Sequence, residues 1–296
     1  MTTTERIDVG SGVHLAVDRW AGSGSPAFLL VHGLASNAQL WWGCAERLAE
    51  LGHPCSTVDQ RGHGRSDKPD AGYTMDQACA DLVALTAALR QEDPSGWDGR
   101  VIVAGQSWGA NVALELGYRH PEVFSGVVCV DGGTIELADR FPDWESVAEA
   151  LAPPRRIIGM PRADMEGFMA SAHPDWPESG RQAQMANFEV RSDGTITPFL
   201  SFEHHMELLR ALWEHRPSTR YPAMKVPVLL VPADGGAGGR SPAMADKAAG
   251  VDAALAAVPR ARAHWFRPAD HDLHAQFPVE LAELLHSEAA DGILAP

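Results

Sequence analysis

Short runs of nearly continuous apolar residues recur along this chain, among them AFLLV before His32, VIVAG before Gln106, GVVCV before Asp131 and VLLV after Pro227. A strand that is apolar on both faces has to be covered on both faces, which is the situation of a parallel sheet between two layers of helices. The stretches between these runs carry apolar residues at helical spacing, over about 40–51, 76–90 and 108–118. Strand and helix in alternation predict a doubly wound, mostly parallel α/β sheet. Near the start, HLAVDRW and AFLLVHG with the Gly/Ser punctuation of GSG and AGSGSP suggest a hairpin feeding an inner strand. The rhythm stops from about Thr134 to Tyr221, where Pro, Met and Trp are frequent. It resumes with VPVLLVPAD, an Ala-rich helix near 244–257, ARAHWF, and a last helix from Leu273 to about His286. The expected organisation is therefore a core of 1–133 and 222–296 with an inserted helical cap, or lid, over 134–221.

Length and composition narrow the function classes. A chain of 296 residues with 45% apolar and 21% charged residues can bury a large core, and no apolar run approaches the length of a membrane span. The start, MTTTERIDVG, shows no basic segment leading into an apolar one, so a cytoplasmic protein is expected. A formal charge of −15 with no basic run argues against nucleic acid and anionic lipid as partners, and for a small-molecule substrate. Cys44, Cys55, Cys79 and Cys129 are scattered without a CxxC or a His-rich companion, so buried reduced thiols are expected rather than a metal site. Oligomeric state is not legible.

The strongest chemical signal is Gly105-Gln106-Ser107-Trp108-Gly109, a GxSxG between an apolar strand and a helix. Ser107 would sit on a tight strand-to-helix turn, and the flanking glycines would let strand and helix pass closely. Its hydroxyl would then stand at the positive end of the following helix, where developing negative charge is favoured. A serine needs a base, an orienting acid and an oxyanion hole before it is a useful nucleophile.

Three further segments carry a resemblance. LLVHGLASN ends an apolar strand in His32-Gly33, DQRGHGRSDKP follows the next strand, and PADHDLHAQFP precedes the last helix. With GQSWG, these resemble the α/β-hydrolase family, in the family's order and over nearly the whole chain outside 134–221. The resemblance implies that Leu34 and Trp108 donate backbone N–H groups to the oxyanion and that His271 is the base. A neutral imidazole suits that task near neutral pH. Asp59 and Arg61 are read as pinning their loop, and His32 and His63 as poor base candidates. His274, on the first turn of the last helix, is read as a surface or capping residue. Asp270 stands where the family commonly has Gly, and a carboxylate there could raise the pKa of the base.

The acid has two candidates. The family's usual position, after the strand VPVLLV, falls on Gly236, two residues beyond Asp234. Some members, including certain haloalkane dehalogenases and zearalenone lactonases, carry the acid after the preceding strand. In this chain Asp131 stands there, 24 residues after Ser107. Asp131 is preferred and Asp234 kept as the alternative.

Within 134–221, Trp144, Met160, Met165, Phe168, Met169, Trp176, Met185, Phe188, Phe199, Phe202, Met206 and Trp213 form an unusual density of large soft side chains. Most are expected to pack cap helices on one another. The remainder would line an apolar pocket, for which His32, Gly33, Trp144, Trp176, Phe188, Phe202 and Met206 are the candidates. His204-His205 are read as partly exposed bystanders. The function implied is a cofactor-free serine hydrolase of a neutral, largely apolar carboxylic ester or lactone, working through an acyl-enzyme. The alternatives are a proline-iminopeptidase-like or amide hydrolase, although HGLAS replaces the iminopeptidase HGGPG loop, and a slow-turnover ligand receptor with a retained triad.

Overall fold

The computed structural model describes residues 4–10, 12–97, 99–134, 136–235 and 242–296. These residues form ten strands: β1 (Thr4–Asp8), β2 (His14–Trp20), β3 (Ala27–Val31), β4 (Cys55–Asp59), β5 (Val101–Gln106), β6 (Gly126–Val130), β7 (Phe188–Val190), β8 (Ile196–Pro198), β9 (Val228–Val231) and β10 (Ala261–Ala263). Eight of them form one sheet in the order β1-β2-β4-β3-β5-β6-β9-β10. Pairing is antiparallel for β1–β2 and β2–β4 and parallel from β4 onward. The N-terminal hairpin is thus formed by β1 and β2, with HLAVDRW against TERID. HLAVDRW does not pair with AFLLV, because β4 lies between them.

The alternation along each inner strand explains the continuous apolar runs. Val101 and Val103 of β5 face one core and Ile102 and Ala104 the other, and β3, β6 and β9 divide in the same way. The first core is closed by α2 (Met75–Glu92), α4 (Trp108–Arg119) and α10 (Pro242–Ala257). The second is closed by α1 (Trp42–Glu50) and α12 (Pro278–Ala290) through Cys44, Leu48, Leu281 and Leu285. A short helix, α3 (Pro94–Trp97), precedes β5. The single last helix expected from Leu273 is two pieces, α11 (Leu273–Gln276) and α12, since Pro278 lacks the N–H that would continue the first. Among the described residues no helix is long and apolar enough to cross a membrane. All four cysteines are buried and free.

Between β6 and β9 the described residues contribute no strand to the main sheet. They form α5 (Leu137–Arg140), α6 (Trp144–Leu151), α7 (Arg162–Ala172), α8 (Glu178–Met185), the β7–β8 hairpin and α9 (Phe202–Glu214). Of the twelve large residues expected to pack here, only Met165 and Trp176 are buried, and Phe168 is 63% exposed. That departs from the expected core. These short helices have no second layer to bury both sides of them, so many large side chains end half-covered around open space.

The chain passes from β3 to β4 on one side and then to β5 on the other, so the strand order reverses at β3. Open α/β sheets leave a crevice at such a point, outside the carboxyl ends of the strands. The ends of β3, β5, β6 and β9 are in register there, with Val31 opposite Gly105, Gln106 opposite Val130, and Val130 opposite Val231.

Candidate active site

Ser107 is the residue between β5 and α4, at φ 53° and ψ −117°. A non-glycine residue in that region is strained, and the surroundings enforce it. Ser107 N–H donates to Val130 O at 3.0 Å, and its carbonyl accepts from Ala110 N–H at 3.0 Å. A Cβ on Gly105 would lie 1.9 Å from Gly109 O, and one on Gly109 would lie 2.4 Å from Val31 O. Both glycines are therefore demanded by backbone approach, which is the physical content of the motif.

Asp131 follows β6 at φ 43°, with its N–H on Val231 O at 3.0 Å. His271 precedes α11. The ring nitrogen Nδ1 lies 2.6 Å from Asp131 Oδ2. A carboxylate can only accept, so Nδ1 carries the proton and Nε2 holds the free lone pair. Among the described residues neither Nε2 nor Ser107 Oγ has a hydrogen-bond partner. Such contacts are commonly long before substrate binds. Gln106, the residue before Ser107, donates its Nε2–H to His271 O at 3.1 Å and so ties the elbow to the loop of His271. The imidazole is crowded by protein but keeps 56% of its side-chain surface exposed. That crowding pulls its pKa down, and the bond to Asp131 with the charges of Asp272 and Asp131 outweighs it, leaving the pKa above its ordinary value.

The Asp131 carboxylate is almost fully covered and collects further donors. Oδ1 accepts from Ala233 N–H at 2.9 Å, and Lys247 Nζ lies 2.7 Å from Oδ1 and 2.9 Å from Oδ2. Burial opposes its ionisation, yet His271 and Lys247 hold its pKa below the usual carboxylate value. The alternative acid, Asp234, accepts Ala269 N–H on Oδ1 at 3.0 Å, on the backbone two residues before His271. Gly236 lies outside the described residues.

Leu34 N–H has no acceptor among the described residues. Trp108 N–H, as the first of α4, has none within its own helix. Gly33 packs so closely that an added Cβ would sit 3.1 Å from Ser107 Cβ, which brings this loop beside the serine. His32 is fully buried and spent: Nδ1–H donates to Gly33 O at 2.7 Å, and Nε2 accepts from Gln60 N–H at 3.0 Å. His63 is buried as well, its Nδ1–H donating to Arg61 O at 2.9 Å. Asp59 receives Ala38 N–H and Arg65, while Arg61 pairs with Asp81 at 2.8 Å, so both serve their loop.

Two expectations about the neighbours of His271 are corrected. His274 is fully buried against the Trp41 ring at 4.6 Å, and burial pushes its pKa down to about 3, so it is neither a surface nor a capping residue. Asp270 does not act on His271 in the way expected. Its Oδ2 accepts Trp176 Nε1–H at 2.9 Å and lies 3.4 Å from His173 Nδ1, and the carboxylates that raise His271 are Asp272 and Asp131.

A cavity of about 870 Å³ opens between the 134–221 segment and the loops at Ala35-Ser36 and His63-Gly64. Leu151, Ile157, Met169, Phe188, Phe199 and Phe202 give it apolar walls, with the Arg155 guanidinium stacked 3.6 Å above the Phe202 ring. Of the pocket candidates it includes Phe188 and Phe202. His32, Gly33 and Met206 are not among its lining residues, and Trp144 and Trp176 have other partners, Trp213 at 6.1 Å and Asp270 respectively. His205, expected to be a bystander, is buried in the cavity wall, and its pKa falls to about 4 through burial. His204 stacks on Tyr73 at 3.9 Å.

Residues 26–221 match the α/β-hydrolase fold family. The chain belongs to that family. A 2-(acetamidomethylene)succinate hydrolase of Mesorhizobium japonicum is 34% identical over 209 residues, 71% of this chain and 70% of that protein. The uncharacterized protein Mb2734 of Mycobacterium bovis is 31% identical over 153 residues, and the match spans 50% of this chain but only 42% of that protein's length. Among solved structures, an E-2-(acetamidomethylene)succinate hydrolase superposes with a TM-score of 0.74 at 22% identity, covering 96% of this chain and 98% of that one. The enol-lactonase of Burkholderia xenovorans LB400 gives 0.65 at 18% identity, covering 98% and 100%. At those identities the structural likenesses carry the fold alone.

Gln106, Lys247 and Asp272 were not singled out by the sequence. For Gln106 the signal was its place inside GQSWG, where its side chain reaches the loop of His271. Lys247 has no local signal, for it meets Asp131 from a helix 116 residues away.

Proposed function

We propose that this chain is a serine hydrolase of a neutral, largely apolar carboxylic ester or lactone, with Ser107 as nucleophile, His271 as base and Asp131 as the acid that orients it. The observation that carries the reading is the 2.6 Å contact between His271 Nδ1 and Asp131 Oδ2, which supports a base whose Nε2 is left to accept a proton, in a chain whose Ser107 has the strained backbone of a nucleophile elbow. In the reaction Ser107 Oγ bonds to the substrate carbonyl carbon as its proton passes to His271 Nε2. The carbonyl oxygen becomes an oxyanion held by Leu34 and Trp108 N–H groups. Collapse breaks the bond to the leaving oxygen, which takes the proton from His271. Water, deprotonated by the same nitrogen, then releases the acid and restores the serine. In this reading the 134–221 segment is a cap, and the apolar walls of the 870 Å³ cavity hold the substrate's hydrocarbon part.

Amide cleavage is the second reading, favoured by the 34% identical relative whose name carries an acetamido group. A panel of p-nitrophenyl esters, lactones and N-acyl amides, with a fluorophosphonate probe and mass mapping of the labelled peptide, tests both. Labelling at Ser107 with turnover of esters or lactones supports the first reading. Preference for amides selects the second. No labelling of a folded protein, or labelling elsewhere, refutes both.

A further inference from the structure

The triad contacts leave one feature unexplained. Lys247, on α10, points its ammonium not into solvent but onto the carboxylate that holds the base. It touches both oxygens of Asp131, at 2.7 and 2.9 Å, and the Ala233 carbonyl at 2.9 Å. Three acceptors satisfy all three ammonium protons. The side chains of Lys247 and Asp131 are only 16% and 1% exposed, so this is no solvated surface pair. An orienting acid needs its negative charge to stabilise the imidazolium that forms during turnover. A lysine on the same carboxylate competes for that charge and would be a liability if it did nothing else.

We propose that Lys247 is a positioning residue of the catalytic pair: its ammonium clamps the Asp131 carboxylate to the chain leaving β9 and divides that carboxylate's charge between itself and His271. This rests on the assignment of His271 as the base. The clamp matters because Asp131 sits at a strained positive φ on a turn rather than within a strand. Ala233 supplies both an N–H to Oδ1 and a carbonyl to Lys247, so one residue after β9 fixes acid and lysine together. The division of charge has a second consequence. The groups acting on His271 are Asp131 and Asp272, which favour the imidazolium, and Lys247, which disfavours it. His173 and Asp270 act on Asp272, and His274 feels the His271 charge. Lys247 is thus the cation that keeps a base flanked by two carboxylates from becoming too basic to work near neutral pH.

The test is the pH dependence of kcat/KM on an activated ester for wild type, Lys247→Met, Lys247→Gln and Lys247→Arg, with thermal unfolding of each. The neutral variants are expected to lose about tenfold or more in kcat and to move the acidic limb upward by about one pH unit, because the imidazolium gains when the lysine charge is removed. Lys247→Arg keeps the charge and should hold the limb within a few tenths of a unit of wild type. A folded Lys247→Met or Lys247→Gln whose limb does not move overturns the proposal, as does an arginine variant that moves as far as the neutral ones. Gln retains a donor for Ala233 and covers the case in which Met does not fold. NMR titration of the His271 ring, assigned with His271→Gln, reads the same shift without substrate. It therefore separates failure of this inference from failure of the hydrolase reading.

Discussion

Asp131→Asn tests the proposed acid at its most exposed point. The substitution keeps size and shape but replaces the Oδ2 that lies 2.6 Å from His271 Nδ1 with a neutral group. Spread over ring and carboxylate, the two charges act at an effective separation of about 4 Å, and with an effective dielectric of about 20 their attraction is about 4 kcal/mol. Losing it from the transition state alone converts to roughly a thousandfold in rate. Two features of the site push in opposite directions. The open face of His271 lets water replace part of the lost stabilisation, while Lys247, no longer neutralised, opposes the imidazolium. A fall in kcat/KM of about 10²–10⁴ is therefore expected, most of it in kcat. Asp234→Asn should stay within about fivefold, since His271 Nδ1 is held by Asp131 and an amide oxygen can still accept Ala269 N–H. The assay is kcat/KM on a p-nitrophenyl ester for both variants and wild type, with unfolding curves to confirm the fold. A folded Asp131→Asn within tenfold of wild type, beside an Asp234→Asn that loses a thousandfold, would refute the assignment.

Other consequences follow from the same geometry. The acidic limb of wild-type kcat/KM should have its midpoint above 6.5, because the base works only as free imidazole and its carboxylate neighbours raise its pKa despite crowding; a midpoint below that value in an initial-rate profile would contradict it. Gly105→Ala places a Cβ 1.9 Å from Gly109 O and should cost about 3 kcal/mol or more in urea unfolding, with activity lost alongside. Burial opposes ionisation of Glu115, but donors from His215, Arg220 and Arg119 hold its pKa at about 2, against 4.5 ordinarily. Its carboxylate should therefore contribute about 3 kcal/mol of stability that is fully present above about pH 4.5 and disappears as pH falls toward 2. Glu115→Gln should accordingly be less stable than wild type near neutral pH and lose that deficit in acid, which urea melts at several pH values would read. Gln106→Leu should lower kcat by about tenfold with little change in KM, since it frees the His271 backbone and leaves the cavity walls intact.

What could be read from the sequence divides along a physical line. The elbow was legible because its chemistry is local: strand, serine, helix and two close-approach glycines occupy one continuous segment. The sheet was legible because an inner strand must be apolar on both faces. Asp131 was within reach because strands paired in parallel register end side by side, so a carboxylate after β6 arrives at the same level as Ser107 after β5. Lys247, Gln106 and the fate of His274 depend instead on which element crosses which in three dimensions. His274 looks like a polar residue on a first helical turn, and only the approach of Trp41 makes it a core residue. The 134–221 segment misled for a related reason. Large apolar residues predict packing only if there is a second layer to pack against, and here many of them surround a cavity.

That cavity and His271 share a support. Trp176 and His173, both from the 134–221 segment, meet Asp270, the residue immediately before His271. Farther along, His215 reaches Glu115 on the helix that begins at the elbow, and Asn187 meets Asn37 in the loop that follows Leu34. The segment is thus tied to the loop of His271, the helix that follows Ser107 and the loop that follows Leu34, each by a polar side chain. A displacement of the segment that admitted substrate would have to break or stretch these ties, and the one at Asp270 would transmit directly to the imidazole. Asp270 in place of the family's common glycine is then better understood as a mechanical residue than as an electrostatic one. Its carboxylate is spent on the segment above it, while the charges that set the basicity of His271 come from Asp131, Asp272 and Lys247.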